Sequence, residues 1–296
     1  MAANSTGFIA RPTLTLRKRL PSVNTFRTTA LMAVMIVLFA LVGRALAGPG
    51  GMMMAFIIAV LMNGVSYWFS SSIVLKMHGA EPIERSDAPE LYDMVDRLRQ
   101  NAGLPMPKVA IVPSDQPNAF ATGRNPDHAV VAVTRGLMRT LDHDELAGVI
   151  AHELAHVENR DILTSTVAAT LAAGVTLLAR FGIFFDRGDR NGMITSLLML
   201  ILAPLAAMLI QAAISRSREF AADRDGARIA GSPHGLASAL RKIERAASHQ
   251  PMSNASESTS HMFIINPFSG GLSGIKSLFS THPPTEERIE QLQSMV

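Results

Sequence analysis

The chain contains no cysteine. That absence excludes a disulfide framework, thiolate catalysis and any sulfur-based metal site, so a metal would have to be held by His and carboxylates. Charged residues are scarce at 17% of 296 positions, and aromatics make up only 5%. The formal net charge is +3, but the basic residues are dispersed and form no stripe interleaved with aromatics, which argues against a nucleic-acid partner. What fills the composition instead is apolar: 48% of residues are hydrophobic and the mean hydropathy is +0.23. A soluble core does not absorb that much apolar side chain, so part of it is expected to face lipid.

Four apolar stretches approach the roughly 20 residues that a bilayer crossing takes. The first runs from Thr28 to Gly43 and continues past Arg44 to Ala47; the second runs from about Met52 to Val74. The third is Ile162 to Ala179, extended past Arg180 to Phe185, and the fourth is Asn191 to Ser215. Arg180 and the Ser, Thr and Gly content weaken the third, which also reads as a buried helix. Arg11, Arg17, Lys18, Arg19 and Arg27 precede the first stretch, and only Arg44 follows it. The positive-inside rule then puts the N-terminus in the cytoplasm. Ala45-Leu46-Ala47 looks like a signal-peptidase site, but the long tail before the apolar run favours an uncleaved anchor. The expected organisation is a basic tail (1–27), a membrane hairpin (28–75), a first catalytic part (76–161), a second hairpin (162–215) and a second catalytic part (216–296). No internal repeat is apparent, and Pro251 to Ser260 reads as a mobile loop.

His152-Glu153-Leu154-Ala155-His156 is an H-E-x-x-H pattern. On a helix, positions i and i+4 share a face, so both imidazoles reach one cation. Glu153 is placed beside them to activate a water and pass its proton to a leaving amine. The helix has its own start signal, because Asp142 and Glu145 have capping-box spacing ahead of Leu146, Val149, Ile150 and Leu154. Zinc needs a third protein ligand. Glu219, just after the fourth apolar stretch, is the best candidate. Asp223, one turn on, suits hydrogen bonding to a ligating imidazole. The bland alternative pairs both carboxylates with Arg216, Arg218 or Arg224. Two membrane crossings between His156 and Glu219 return the chain to its starting face, which makes the span number and the metal site consistent.

Three clusters resemble the HtpX family of bacterial membrane zinc proteases, relatives of the CAAX prenyl endopeptidases. They are His152 to His156 with Glu158 and Asp161, then Glu219 to Asp223, and Thr281-His282-Pro283-Pro284. The four-span layout is similar too. The resemblance implies one Zn²⁺ per chain on His152, His156 and Glu219, with Glu153 as general acid/base. It also implies cleavage of membrane or misfolded proteins at the cytoplasmic face of the inner membrane, in envelope quality control and stress response. His282 in that pattern lies near the active site and could donate to an oxyanion; equally it is a His in a Pro-stiffened turn. Asn118, Ala119 and Phe120 resemble the sheet edge that takes substrate as an added strand; an ordinary hairpin strand is the alternative.

The expected fold is mainly α-helical. It comprises four membrane helices and a cytoplasmic zincin-like domain with a small antiparallel sheet, including strands at Val109 to Val112 and Ala129 to Val133. The expected reaction is peptide-bond hydrolysis. Its rivals are a CAAX-type endopeptidase acting on lipidated proteins, a non-catalytic zinc-binding membrane adaptor, and a transporter. An intact Glu153 argues against the adaptor, and the few polar groups within the spans argue against transport. Oligomeric state, cleavage preference and regulation are not legible in the sequence.

Overall fold

A computed structural model describes residues 23–165, 167, 216–249 and 283–295. Most of the third apolar stretch, all of the fourth, the tail before Val23, the Pro251 to Ser260 loop and His282 lie outside these residues. The expected second hairpin therefore has no structural account here.

Helix α1 (Val23–Met77) holds the first two apolar stretches and breaks at Ala47 and Gly48. Gly48 takes φ +63° and ψ −152°, a conformation that side chains with a Cβ avoid, and so the chain reverses there. The two halves pack on each other through Met35, Phe39 and Ala59, and Asn63 Nδ2 donates to Met32 O at 3.3 Å. The outer faces are apolar and bare: Met54 and Leu61 are more than 60% exposed. Ala47–Phe69 is long and apolar enough to cross a membrane, whereas Thr28–Arg44 is a shorter apolar helix. An uncovered apolar surface of this extent suits lipid contact.

Beyond α1 come β1 (Glu81–Ile83), α2 (Pro89–Asn101), β2 (Lys108–Val112), β3 (Ala119–Thr122) and β4 (Val130–Thr134). The sheet order is β1-β2-β4-β3. It is mixed rather than antiparallel as expected, because β2 and β4 run parallel, from Lys108 opposite Val130 to Val112 opposite Thr134. The chain leaves β2, forms β3 as the outer strand and returns through a 3₁₀ turn at Pro126–His128. This puts β4 between the two, where all five of its residues are buried. Val109, Val131 and Val133 face the helices. Ala110, Phe120 and Ala132 face the other way, toward Val74 at the end of α1. The period-two alternation thus seats the sheet on the base of the membrane helix.

Next come α3 (Arg135–Thr140), α4 (His143–Glu158), α5 (Arg216–Ala230), α6 (His234–His249) and α7 (Thr285–Gln293). Helix α4 is the centre of the domain, buried along nearly its whole length. A helix covered on every side can be apolar all round. The expected capping box is present: Asp142 accepts from the Glu145 N–H at 3.0 Å, and Glu145 accepts from the Asp142 N–H at 2.9 Å. Glu145 also accepts from Ser238 and Lys242 of α6, fastening the start of α4 in place. The described residues of the two segments, 76–161 and 216–249, pack against each other through α4, α5 and α6.

Candidate metal centre

Helix α5 buries Glu219, Ala222, Asp223 and Gly226, an i, i+3, i+4, i+7 stripe laid against α4. A Cβ on Gly226 would stand 2.9 Å from His152 Cα and 3.0 Å from its N, so only glycine permits this approach. The small Ala222 shares the contact, fully buried one turn earlier.

That packing gathers His152, His156 and Glu219, each with one ligand atom within 4.8 Å of the others. His152 Nε2 lies 3.7 Å from Glu219 Oε2, and His156 Nε2 lies 3.5 Å from Glu219 Oε1. Ligands about 2.0–2.1 Å from a tetrahedral zinc are about 3.3 Å apart, so a small inward movement completes the shell. The remaining ring nitrogens already have carboxylates. His152 Nδ1 is 2.9 Å from Asp223 Oδ1, and His156 Nδ1 is 3.2 Å from Asp161 Oδ2. A carboxylate beside each Nδ1 orients the rings so that both Nε2 atoms face Glu219, as imidazole ligands to a cation require. Two imidazoles and a carboxylate without sulfur therefore fit zinc.

Glu153 is buried beside the cluster, and its Oε2 accepts from the Ala121 N–H of β3 at 2.8 Å. Strand β3 is an edge strand. Asn118 turns its backbone toward β4, accepting from the Thr134 N–H at 2.9 Å. By alternation Ala119 and Ala121 turn their backbone groups outward. Asn118 and Ala119 are buried, and the Phe120 side chain packs on the far face of the sheet beside His78. The strand reaches the Glu153 carboxylate through Ala121.

The residue that sequence reasoning missed is Arg288 on α7. It is 1% exposed and forms a two-pronged pair with Asp223, Nε to Oδ2 at 2.8 Å and Nη2 to Oδ1 at 2.6 Å. Its Nη2 also stands 3.5 Å from His152 Nε2. Burial would raise the Asp223 carboxyl, but the Arg288 charge and hydrogen bonds outweigh it and hold the group at about 2. Burial opposes the Arg288 charge, while Asp223, Glu219 and Glu153 together push it above its ordinary value. For His156, burial alone would lower the imidazole. The Asp161 bond and the charges of Glu219 and Glu153 reverse that and raise it to about 9. A signal for Arg288 did exist: with Ile289 and Leu292 it lies on the buried stripe of α7, where an unpaired Arg is rare.

Residues 85–296 match the family described as Peptidase family M48. The chain belongs to that family. A Protease HtpX homolog of Salinibacter ruber is 73% identical over 273 residues, 92% of this chain and 98% of the relative. A Protease HtpX homolog of Syntrophobacter fumaroxidans is 52% identical over 280 residues, 91% of this chain and 99% of that one. One from Thermococcus kodakarensis is 53% identical over 277 residues, covering 91% and 95%. Among solved structures, Ste24p of S. mikatae shares the fold at a TM-score of 0.50 with 17% identity. That match covers 90% of this chain, which spans 64% of the other. The M48 chain is thus a membrane metalloendopeptidase of the HtpX kind, as its sequence clusters implied.

Proposed function

We propose that this M48 protease is a zinc endopeptidase of the bacterial inner membrane, cleaving membrane or misfolded proteins at the cytoplasmic face in envelope quality control. The observation that carries this reading is Glu153, held between the His152/His156/Glu219 cluster and the edge strand β3. Zinc, when bound by those three side chains, would supply a Lewis acid for the scissile carbonyl. Glu153 takes a proton from the attacking water and passes it to the departing amine. The Ala121 N–H keeps one Glu153 oxygen fixed, and the outward backbone groups of Ala119 and the Ala121 carbonyl would offer the substrate a strand to pair with. Asp223, gripped by Arg288, and Asp161 hold the two imidazoles in register.

Glu153→Gln tests the role directly, with casein as substrate and metal content measured alongside. The expected result is a loss of cleavage by roughly 10²–10⁴-fold, with one zinc per chain retained. Equal cleavage by both proteins would remove Glu153 from the mechanism. Zinc bound without cleavage in either would favour the adaptor. A CAAX-type activity on lipidated proteins is the closest enzymatic alternative, and paired prenylated and unlipidated peptides separate the two.

A further inference from the structure

A cavity of about 300 Å³ opens between the ends of the two α1 halves, the turn after β3 and the turn after α4. Its polar lining is Thr28, Thr29, Tyr67, Arg124, Asn125 and Arg160. Its apolar lining is Met32, Ile162 and Leu163. The volume lies at the lower end of the ~300–1,000 Å³ typical of small-ligand sites.

Three features give the cavity a chemistry. First, its described lining holds two arginines and no acid, and among the described residues neither guanidinium is paired with a carboxylate. Arg124 instead lies over the Trp68 ring, 4.8 Å from its centroid. Arginine forks match phosphate oxygens, and hydroxyl and amide donors complete such a site. Second, the cavity sits at the level where α1 passes from polar ends to bare apolar faces, marked by Tyr67 and by Trp68, which is 61% exposed. Aromatics of that kind gather at the headgroup level of a bilayer. Third, Arg160 adopts φ +59°, a backbone state normally left to Gly or Asn at a helix end. The Thr28 hydroxyl is already bonded to Thr164 Oγ1 at 2.8 Å, which ties the first half of α1 to the cavity wall.

We propose that this cavity binds the phosphate of an anionic phospholipid, the headgroup gripped by Arg124 and Arg160 and an acyl chain running down over Met32 and Leu163. The site also adjoins the catalytic apparatus from two sides. Arg124 follows β3, whose Ala121 holds Glu153, and Arg160 precedes Asp161, which holds His156. An occupied headgroup site therefore steadies the substrate edge and a metal ligand together. The inference rests on the membrane placement of α1 and not on zinc chemistry.

The test uses the purified full-length chain in detergent, with phosphatidylglycerol and phosphatidylcholine offered separately and retained lipid counted by native mass spectrometry. Trp68 is the only tryptophan, so its emission reports headgroup binding beneath Arg124. One phosphatidylglycerol per chain is expected to stay bound. Retention should be about twenty-five-fold weaker after combined Arg124→Gln and Arg160→Gln, at roughly fivefold per arginine. A thermal melt of the variant in detergent, compared with wild type, confirms its fold. Equal retention of the two lipids, or of phosphatidylglycerol by wild type and variant, overturns the proposal. If millimolar inorganic phosphate alone shifts Trp68 emission as far as the lipid does, the cavity is a free-anion site and the lipid assignment falls. Absence of casein cleavage in the wild type would instead strike the protease reading, leaving the lipid result readable.

Discussion

Arg288 and Asp223 are a buried pair in which neither partner tolerates the loss of the other. Replacing Arg288 with Met leaves a carboxylate in a closed interior, which costs about 3–5 kcal/mol. It also frees Asp223 to turn away from His152, which should weaken zinc binding about 10–100-fold. Arg288→Lys keeps the charge without the planar fork and should fall between. Thermal melts and competitive zinc titration of the three proteins check this order; a Met variant with unchanged metal affinity would demote Arg288 to a structural salt bridge. His156 gives a pH signature. Its folded value of about 9 lies above the ordinary 6.5, so its contribution to metal-free stability is complete below about pH 6.5 and disappears as pH rises through 9. Metal-free protein should therefore lose melting temperature between those limits. Zinc uptake near neutral pH should release about one proton from this site, measurable by calorimetry in buffers of different ionisation heat. Residues of this rank were unevenly legible. His152, Glu153 and His156 stand out because helical spacing alone brings their chemistry together, and Glu219 because the pair calls for a third ligand. Arg288 was hidden because its partner lies 65 positions away, and no local pattern links the two.

Between elements, the decisive distance is that from α5 to α4, and Gly226 sets it. A methyl added there meets the backbone of His152 itself, so Gly226→Ala should cost about 1–3 kcal/mol through overpacking and lower zinc affinity with it. Gly64→Ala is the control, since nothing stands within 4 Å of that added carbon. Equal zinc affinity in both variants would show that α5 yields without disturbing the ligands. The central helix was readable from capping and periodicity, and α4 begins at the foreseen box. The sheet's handedness of pairing was not. Two Val-rich strands separated by a third look like successive antiparallel neighbours. Only the burial of both faces of β4 forces it inward beside β2, and burial is a tertiary fact that strand composition does not carry.

For the whole molecule, the proposed orientation predicts an asymmetry that a cysteine-free chain makes easy to measure. Ser86→Cys lies in the exposed segment that precedes α2, and Gly50→Cys in the exposed reversal of α1. In intact cells an impermeant maleimide should label Gly50→Cys alone, and Ser86→Cys only after the inner membrane is opened. The reverse pattern would invert the topology. Labelling of both in intact cells would mean that α1 does not cross.

The chain order of the site has a consequence for biosynthesis. His152, Glu219 and Arg288 leave the ribosome in that sequence, with 136 positions between the first and the last. At about 5–20 residues per second, the histidine pair is made roughly 7–27 s before the arginine that locks its supporting carboxylate. Throughout that interval the nascent enzyme carries its metal motif without the means to hold it in working order. A protease born beside unfolded neighbours, itself among them, thus lacks one support of its metal site until Arg288 has been translated.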